Sequence, residues 1–274
     1  MRTLLTVRTI VAMALVSLGL VACGSSSSTD GTGTSTGTST GTGTGSGTGT
    51  GSGTGGSGSA LLFNEILANP PYCGLVSQFP DCNDNPLWGD ANGDFIYSAK
   101  EDEFIEIVNR SSAPYDLSGV KILRALDGFP DPNDSAAVVF TFASGETLAA
   151  GQAAVVFSGV SDNENSSGVI TTSFNGVTIQ SYLAGSTSLS PLQLNDTTYL
   201  VLATISGEVL DKVAFTDDAA GHPDALPIDA NNARMSIVRV PDVTGGDWAL
   251  IGDVANHYAN GPCTPGVRTD GSAF

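Results

Sequence analysis

The stretch Asp90-Ala91-Asn92-Gly93-Asp94-Phe95-Ile96-Tyr97-Ser98-Ala99-Lys100-Glu101 sets oxygen-bearing side chains at positions 1, 3, 5, 9 and 12 of a twelve-residue loop. That is the spacing of an EF-hand-type calcium loop, because Ca²⁺ is a hard cation that gathers about six to eight oxygens. On this reading Asp90, Asn92 and Asp94 supply side-chain oxygens, Ile96 its carbonyl at position 7, and Glu101 both carboxylate oxygens at position 12. Two features depart from the consensus. Phe95 stands at the sixth position, where such loops carry Gly for a sharp turn, and no helical pattern flanks the loop. The plainer alternative is a solvated acidic turn, since Asp, Asn and Gly are also ordinary turn residues. Asp131 with Asn133 and Asp134, and Asp162 with Glu164, lack the full spacing and read as loops.

Nucleophilic or acid–base chemistry has fewer footholds. The histidines are His222 and His257 alone, and after residue 59 no Gly-x-Ser-x-Gly elbow supplies a serine for His222 to activate. His222 sits among Asp217, Asp218 and Asp224, which reads as an acidic loop. A pair of carboxylates is compatible with glycoside hydrolysis, but the 28 acidic residues offer many pairs, and their number is not evidence. Phosphate loops, dinucleotide fingerprints and basic aromatic platforms are missing from the sequence after residue 59.

The chain around these residues divides into three materials. Arg2 and Arg8 precede an apolar run from Ile10 to Leu20 that is too short to span a bilayer and reads as a secretory leader over residues 1–22. The run ends in Leu20-Val21-Ala22-Cys23-Gly24, which resembles the lipobox of bacterial lipoproteins. That resemblance implies cleavage before Cys23, acylation of its thiol and new amino terminus, and, with Gly24 next, an outer-membrane destination in the cell envelope. From Gly24 to Ser59 the sole residue other than Gly, Ser or Thr is Asp30. Nothing there offsets the entropy of ordering, so residues 23–59 are expected to form a disordered, lipid-anchored tether reaching roughly 30–36 Å.

About 215 residues, 60–274, remain to fold. After loss of the leader the chain carries 8 basic and 28 acidic residues, a net charge of −20, which repels phosphate backbones; no nucleic-acid partner is expected. Export permits disulfides. With Cys23 acylated, Cys73, Cys82 and Cys263 are left: Cys73 with Cys82 is the simplest pair, stapling one loop, while Cys263 stays free or takes the place of Cys82.

Short β-rich runs bounded by turn residues recur at Leu61–Ala68, Glu103–Asn109, Gly119–Leu123, Ala137–Phe142, Ala153–Phe157, Val177–Leu183, Thr198–Ile205, Glu208–Phe215 and Met235–Val240. No stretch sustains a helical period. Ser206-Gly207 reads as the two-residue connection of an antiparallel hairpin. In Phe104-Ile105-Glu106-Ile107-Val108, alternation sends Ile105 and Ile107 one way and Glu106 the other, the pattern of a half-buried strand. Asn64 and Asn109 are expected to satisfy backbone groups at strand ends.

Several pieces, in order, resemble the lamin tail domain family. Phe63-Asn64-Glu65-Ile66-Leu67-Ala68-Asn69-Pro70 is similar to its opening strand, and Asp102-Glu103-Phe104-Ile105-Glu106-Ile107-Val108-Asn109 to the next, followed by Asp116-Leu117-Ser118-Gly119. Leu148-Ala149-Ala150-Gly151-Gln152 precedes an apolar strand, Gly207-Glu208-Val209-Leu210-Asp211-Lys212-Val213 resembles the family's hairpin, and Ser236, Arg239 and Thr264-Pro265-Gly266 its ending. The resemblance implies an all-β, immunoglobulin-like sandwich, here with long insertions at 70–101 and 158–197. Calcium loops that enter a strand directly also resemble insertions in bacterial sequences of this kind.

The resemblance further implies a non-catalytic binding or scaffolding role, with a separate protein or a surface polysaccharide as partner. Two other roles stay open at this point: a calcium-dependent envelope hydrolase with an acidic cleft, and a structural part in which calcium-strengthened domains pack side by side.

Overall fold

The computed structural model describes residues 59–71, 90–161, 170–185, 191–194, 197–218, 220–228, 234–244, 246–255 and 262–274. The leader, Cys23, the tether up to residue 58, Cys73, Cys82, Asp162, Glu164 and His257 lie outside the described residues.

Fourteen strands run in chain order among the described residues: β1 (Leu61–Leu67), β2 (Phe104–Asn109), β3 (Tyr115–Asp116), β4 (Lys121–Ala125), β5 (Val138–Thr141), β6 (Thr147–Leu148), β7 (Ala153–Phe157), β8 (Ser173–Phe174), β9 (Val177–Thr178), β10 (Gln180–Leu183), β11 (Thr197–Ala203), β12 (Val209–Thr216), β13 (Ile237–Val240) and β14 (Asp247–Leu250). Only a 3-10 turn at Ile251–Asp253 is helical among them. A six-stranded sheet in the order β10-β7-β2-β1-β13-β14 and a four-stranded sheet in the order β12-β11-β4-β5 enclose one apolar layer, giving the expected all-β, immunoglobulin-like sandwich. Phe63, Ile66, Ile105, Ile107 and Ile237 of the larger sheet meet Ile122, Leu200, Leu202 and Phe215 of the smaller in that layer.

The hairpin expected around Ser206-Gly207 forms between β11 and β12, but with a longer turn than two residues. A bulge at Leu202/Ala203 precedes the last pair, Ala203 with Val209; Thr204 N donates to Glu208 O and Gly207 N to Thr204 O, and Ile205 lies in the turn rather than in a strand. The run Val177–Leu183 is split at Ile179 into β9 and β10; Ile179 instead packs with Phe174 and Val267. The insertion at 158–197 therefore contributes strands of its own, and β10 adds to the sheet edge parallel to β7.

Strand β1 carries one residue too many for its partner. Phe63 pairs with Ile107 and Glu65 with Glu106, so Asn64 is an unopposed bulge residue. Side chains alternate with period two, and one inserted residue reverses that phase. The reversal returns Ile66 to the core and turns Glu65 to the same outer face as Glu106.

That outer face corrects the half-buried reading of β2. Glu106 is fully buried, as is every other residue of the strand. Phe104, Val155, Phe157 and Leu67 form a second apolar cluster closed by Ala91 from the acidic loop and Cys263 from the C-terminal segment. Both faces of the sheet centre are thus covered, one by the opposing sheet and one by the chain's own loops.

Candidate functional site

The acidic loop folds as a chain of carboxylate-capped turns leading into β2. Asp90 accepts from Asp94 N through Oδ1 (3.1 Å) and from Phe95 N through Oδ2 (2.9 Å). Asn92 Oδ1 accepts from Asp94 N (2.9 Å) while its Nδ2 donates to Gly159 O (3.0 Å). Asp94 is buried and accepts from Ile96 N (2.9 Å) and Ser161 N (2.6 Å). Glu101 lies buried with its side-chain stem against Gly159, whose N–H donates to the Glu101 carbonyl. Burial holds the Asp90 carboxyl above the ordinary aspartate range.

Phe95, at the sixth position, adopts φ 73, and Gly93 adopts φ 74. The backbone makes the sharp turn for which such loops use Gly, with a bulky residue in the left-handed region and its ring 78% exposed. Replacing Phe95 by Gly is expected to stabilise the domain by about 0.5–1 kcal/mol, the relief of left-handed strain less the entropy of Gly, read from urea unfolding midpoints.

The backbone turns sharply at Gly93 and Phe95, and the side-chain oxygens of Asp90, Asn92 and Asp94 are turned to N–H donors. Among the described residues no three His, Cys, Asp or Glu side chains converge to hold a metal ion. Asp102, which spacing alone did not single out, closes the loop. It is buried and accepts from Asn92 N (3.1 Å) and Ser98 N (2.7 Å). Burial drives its carboxyl well above the usual range, against those two donors and with help from the charges of Asp90 and Asp94.

A second acidic group lies under the C-terminal segment. Glu65 accepts from Thr264 N at Oε1 (2.8 Å) and from Thr264 Oγ1 at Oε2 (2.7 Å). Glu106 accepts from Asn64 Nδ2 (2.8 Å) and Gly266 N (2.6 Å). Asp242 accepts from Thr269 N and Oγ1, at 3.0 and 2.8 Å, and from Asn64 Nδ2 at 3.2 Å. Burial pushes Glu65 up to about 7 and, with the neighbouring Glu65 charge, Glu106 well above the glutamate range. On the inner face of the same sheet Arg239 bridges to β12, pairing with Asp211 at 2.8 Å.

Residues 87–217 match the Lamin Tail Domain family. The matched stretch is a lamin tail domain. It takes in the acidic loop and β2 to β12 and leaves β1, β13, β14 and the C-terminal segment outside the match, although these complete the lamin tail domain's larger sheet. A crystal structure of a DUF4876 family protein from Bacteroides thetaiotaomicron VPI-5482 is similar over 66% of this chain and 62% of its own, under two thirds of that protein, at 12% identity and a TM-score of 0.36. No curated protein matches the sequence.

The remaining expected residues have structural partners within the lamin tail domain or beside it. His222 Nδ1 lies 3.1 Å from the Tyr199 hydroxyl, and Asn133 N donates to Asp131 in a surface turn. Asn109 donates to the carbonyls of Ala113, Leu148 and Ala149, as expected of a strand-end asparagine. Asn64 departs from that expectation: its amide binds two carboxylates, and its Oδ1 accepts from Val243 N (3.0 Å). Cys263 is a free, buried thiol, pushed well above its usual pKa by burial and then by Glu65, Asp102 and Glu106.

Proposed function

We propose that this chain is a non-catalytic lipoprotein of the bacterial cell envelope, held in the outer membrane through acylated Cys23, whose lamin tail domain serves as a binding or scaffolding module. Its partner is a separate protein or a surface polysaccharide. The observation that carries this reading is where the perturbed carboxyls lie. Glu65, Glu106 and Asp102 are sealed beneath the chain's own backbone donors. An acid–base pair must meet its substrate, and these groups are met by Thr264, Gly266, Asn64, Ser236, Asn92 and Ser98 of the chain itself. The reading includes Ca²⁺ in the 90–101 loop, ligated by Asp90, Asn92, Asp94, the Ile96 carbonyl and Glu101; the left-handed backbone at Phe95 supports it. The ion would rigidify the loop and its join to β2.

Fractionation and titration test the reading. Cys23→Ser is expected to move the protein from the outer-membrane fraction to the soluble fraction, and that soluble form to bind envelope polymer or protein without consuming it. Turnover of envelope glycans by the purified protein would overturn the non-catalytic role. Calorimetric titration with CaCl2 is expected to show uptake of about one ion that Asp90→Ala abolishes; no heat from the unaltered protein removes calcium from the proposal.

A further inference from the structure

The C-terminal segment 262–274 crosses the outer face of the larger sheet and is held there by carboxyl groups. Glu65 and Glu106 are direct cross-strand neighbours on one face, a placement that brings their side chains within contact range. Both are buried, and all four of their oxygens accept: two from Thr264, one from Gly266 and one from Asn64. The titratable groups that face them are Asp242, which follows β13 and binds Thr269, and Cys263 of the segment itself, with Asp102 acting on the same thiol. Among the described residues no cation pairs with either glutamate; the ion pair of Arg239 with Asp211 lies on the opposite face of the sheet.

We propose that segment 262–274 is an alkaline-opening latch, docked while the Glu65–Glu106 pair retains a proton and released when both carboxyls ionise side by side. Two adjacent buried anions without a counter-ion repel each other, and a third carboxylate at Asp242 adds to the repulsion. Both glutamates have pKa values raised in the folded protein, Glu65 to about 7. A raised carboxyl stabilises the docked state fully below the ordinary glutamate range and loses that contribution as pH rises through the folded value. The docking equilibrium should therefore fall by up to about tenfold per pH unit for each carboxyl, from the ordinary glutamate range up to its folded value, and level off above that value. Release would uncover Cys263 together with the Leu67, Phe104, Val155 and Phe157 surface beneath it, and would free Val267 from Phe174 and Ile179.

The test uses the whole mature protein between pH 4 and 9. Alkylation of Cys263 is located by peptide mass and divided at each pH by the rate in denaturant; amide exchange of 262–274 is corrected for its intrinsic rate. Protection of Cys263 and of the segment is expected to be highest at pH 4, to fall through pH 5–7 and to be at least tenfold lower by pH 9, while β1 and β2 amides stay protected. In Glu65→Gln the amide oxygen can still accept from Thr264 N, and the Thr264 hydroxyl can turn to accept from the new amide. That variant should remain at least tenfold better protected than the parent at pH 9. Should Glu65→Gln fail to fold, Asp242→Asn, which removes the third charge, is expected to shift the loss of protection to higher pH. Protection that stays flat to pH 9 in the unaltered protein overturns the latch. So does an alkaline loss spread equally over both sheets, which would be global destabilisation.

Discussion

Arg239→Ala is expected to lower the unfolding free energy by about 3–5 kcal/mol, the usual cost of removing one partner from a buried ion pair. The guanidinium has three hydrogen-bond partners at once: Phe63 O through Nε (2.8 Å), Gly246 O through Nη1 (3.0 Å) and Asp211 Oδ2 through Nη2 (2.8 Å). Its carbon centre also lies 4.7 Å over the Trp248 ring. Asp211 sits on β12 of the smaller sheet and accepts from Phe63 N as well, so the pair ties the two sheets together. Its Oδ1 is buried without a hydrogen-bond partner, and removal of the arginine would leave the carboxylate in the core with the Phe63 N–H but no counter-charge. Arg239→Lys keeps the charge but not the planar fork, and should lose less than Ala. Arg239→Met combined with Asp211→Leu should lose less than either single removal, because no orphan charge remains. Denaturant unfolding of the parent, Arg239→Ala, Arg239→Lys, Arg239→Met, Asp211→Leu and the double variant, followed by tryptophan fluorescence, measures these differences. An Arg239→Ala loss below about 1 kcal/mol would show that the pair is not a significant tie between the sheets.

Gly266→Ala should rank next, at about 2–4 kcal/mol from left-handed strain and overpacking together. Gly266 adopts φ 77, and a Cβ there would overlap Cγ2 and Cβ of Ile179. The backbone must shift, and the bond from Gly266 N to Glu106 Oε2 is lost with it. Unlike the effect of alkali, this displacement is present at every pH. Alkylation of Cys263 at pH 6 should rise at least tenfold, and the thermal midpoint should fall. A thiol as protected as in the parent would show that the segment's contact with Ile179 is not what holds it.

Local signals explain which parts of this architecture were legible in the sequence. The β11–β12 hairpin follows from two apolar runs flanking a Gly turn, and Gly207 does take φ 86. The core-facing role of Ile105 and Ile107 follows from alternation. What failed was the other face of β2. Whether Glu106 meets water depends on Gly266, 160 residues away, and no local pattern encodes that cover. β14 escaped notice because Asp247-Trp248-Ala249-Leu250 is short and starts polar, yet pairing with β13 makes it a strand. In the acidic loop, position counting marked Phe95 as a departure from the Gly of the consensus, yet the backbone does turn left-handed there, and the count stopped at the twelfth residue. Asp102, the thirteenth, stitches Asn92 to Ser98. Arg239 and Asp211 were visible only as pieces of a resemblance; that they touch is a fact of three dimensions.

The place of β1 has a mechanical consequence. It is the first strand of the sandwich, yet it lies inside the larger sheet with β2 on one side and β13 on the other. A load transmitted through the residues before Leu61 would therefore have to break two ladders together rather than peel away an edge. A domain tugged from that end should yield at higher force than one whose leading strand is peripheral.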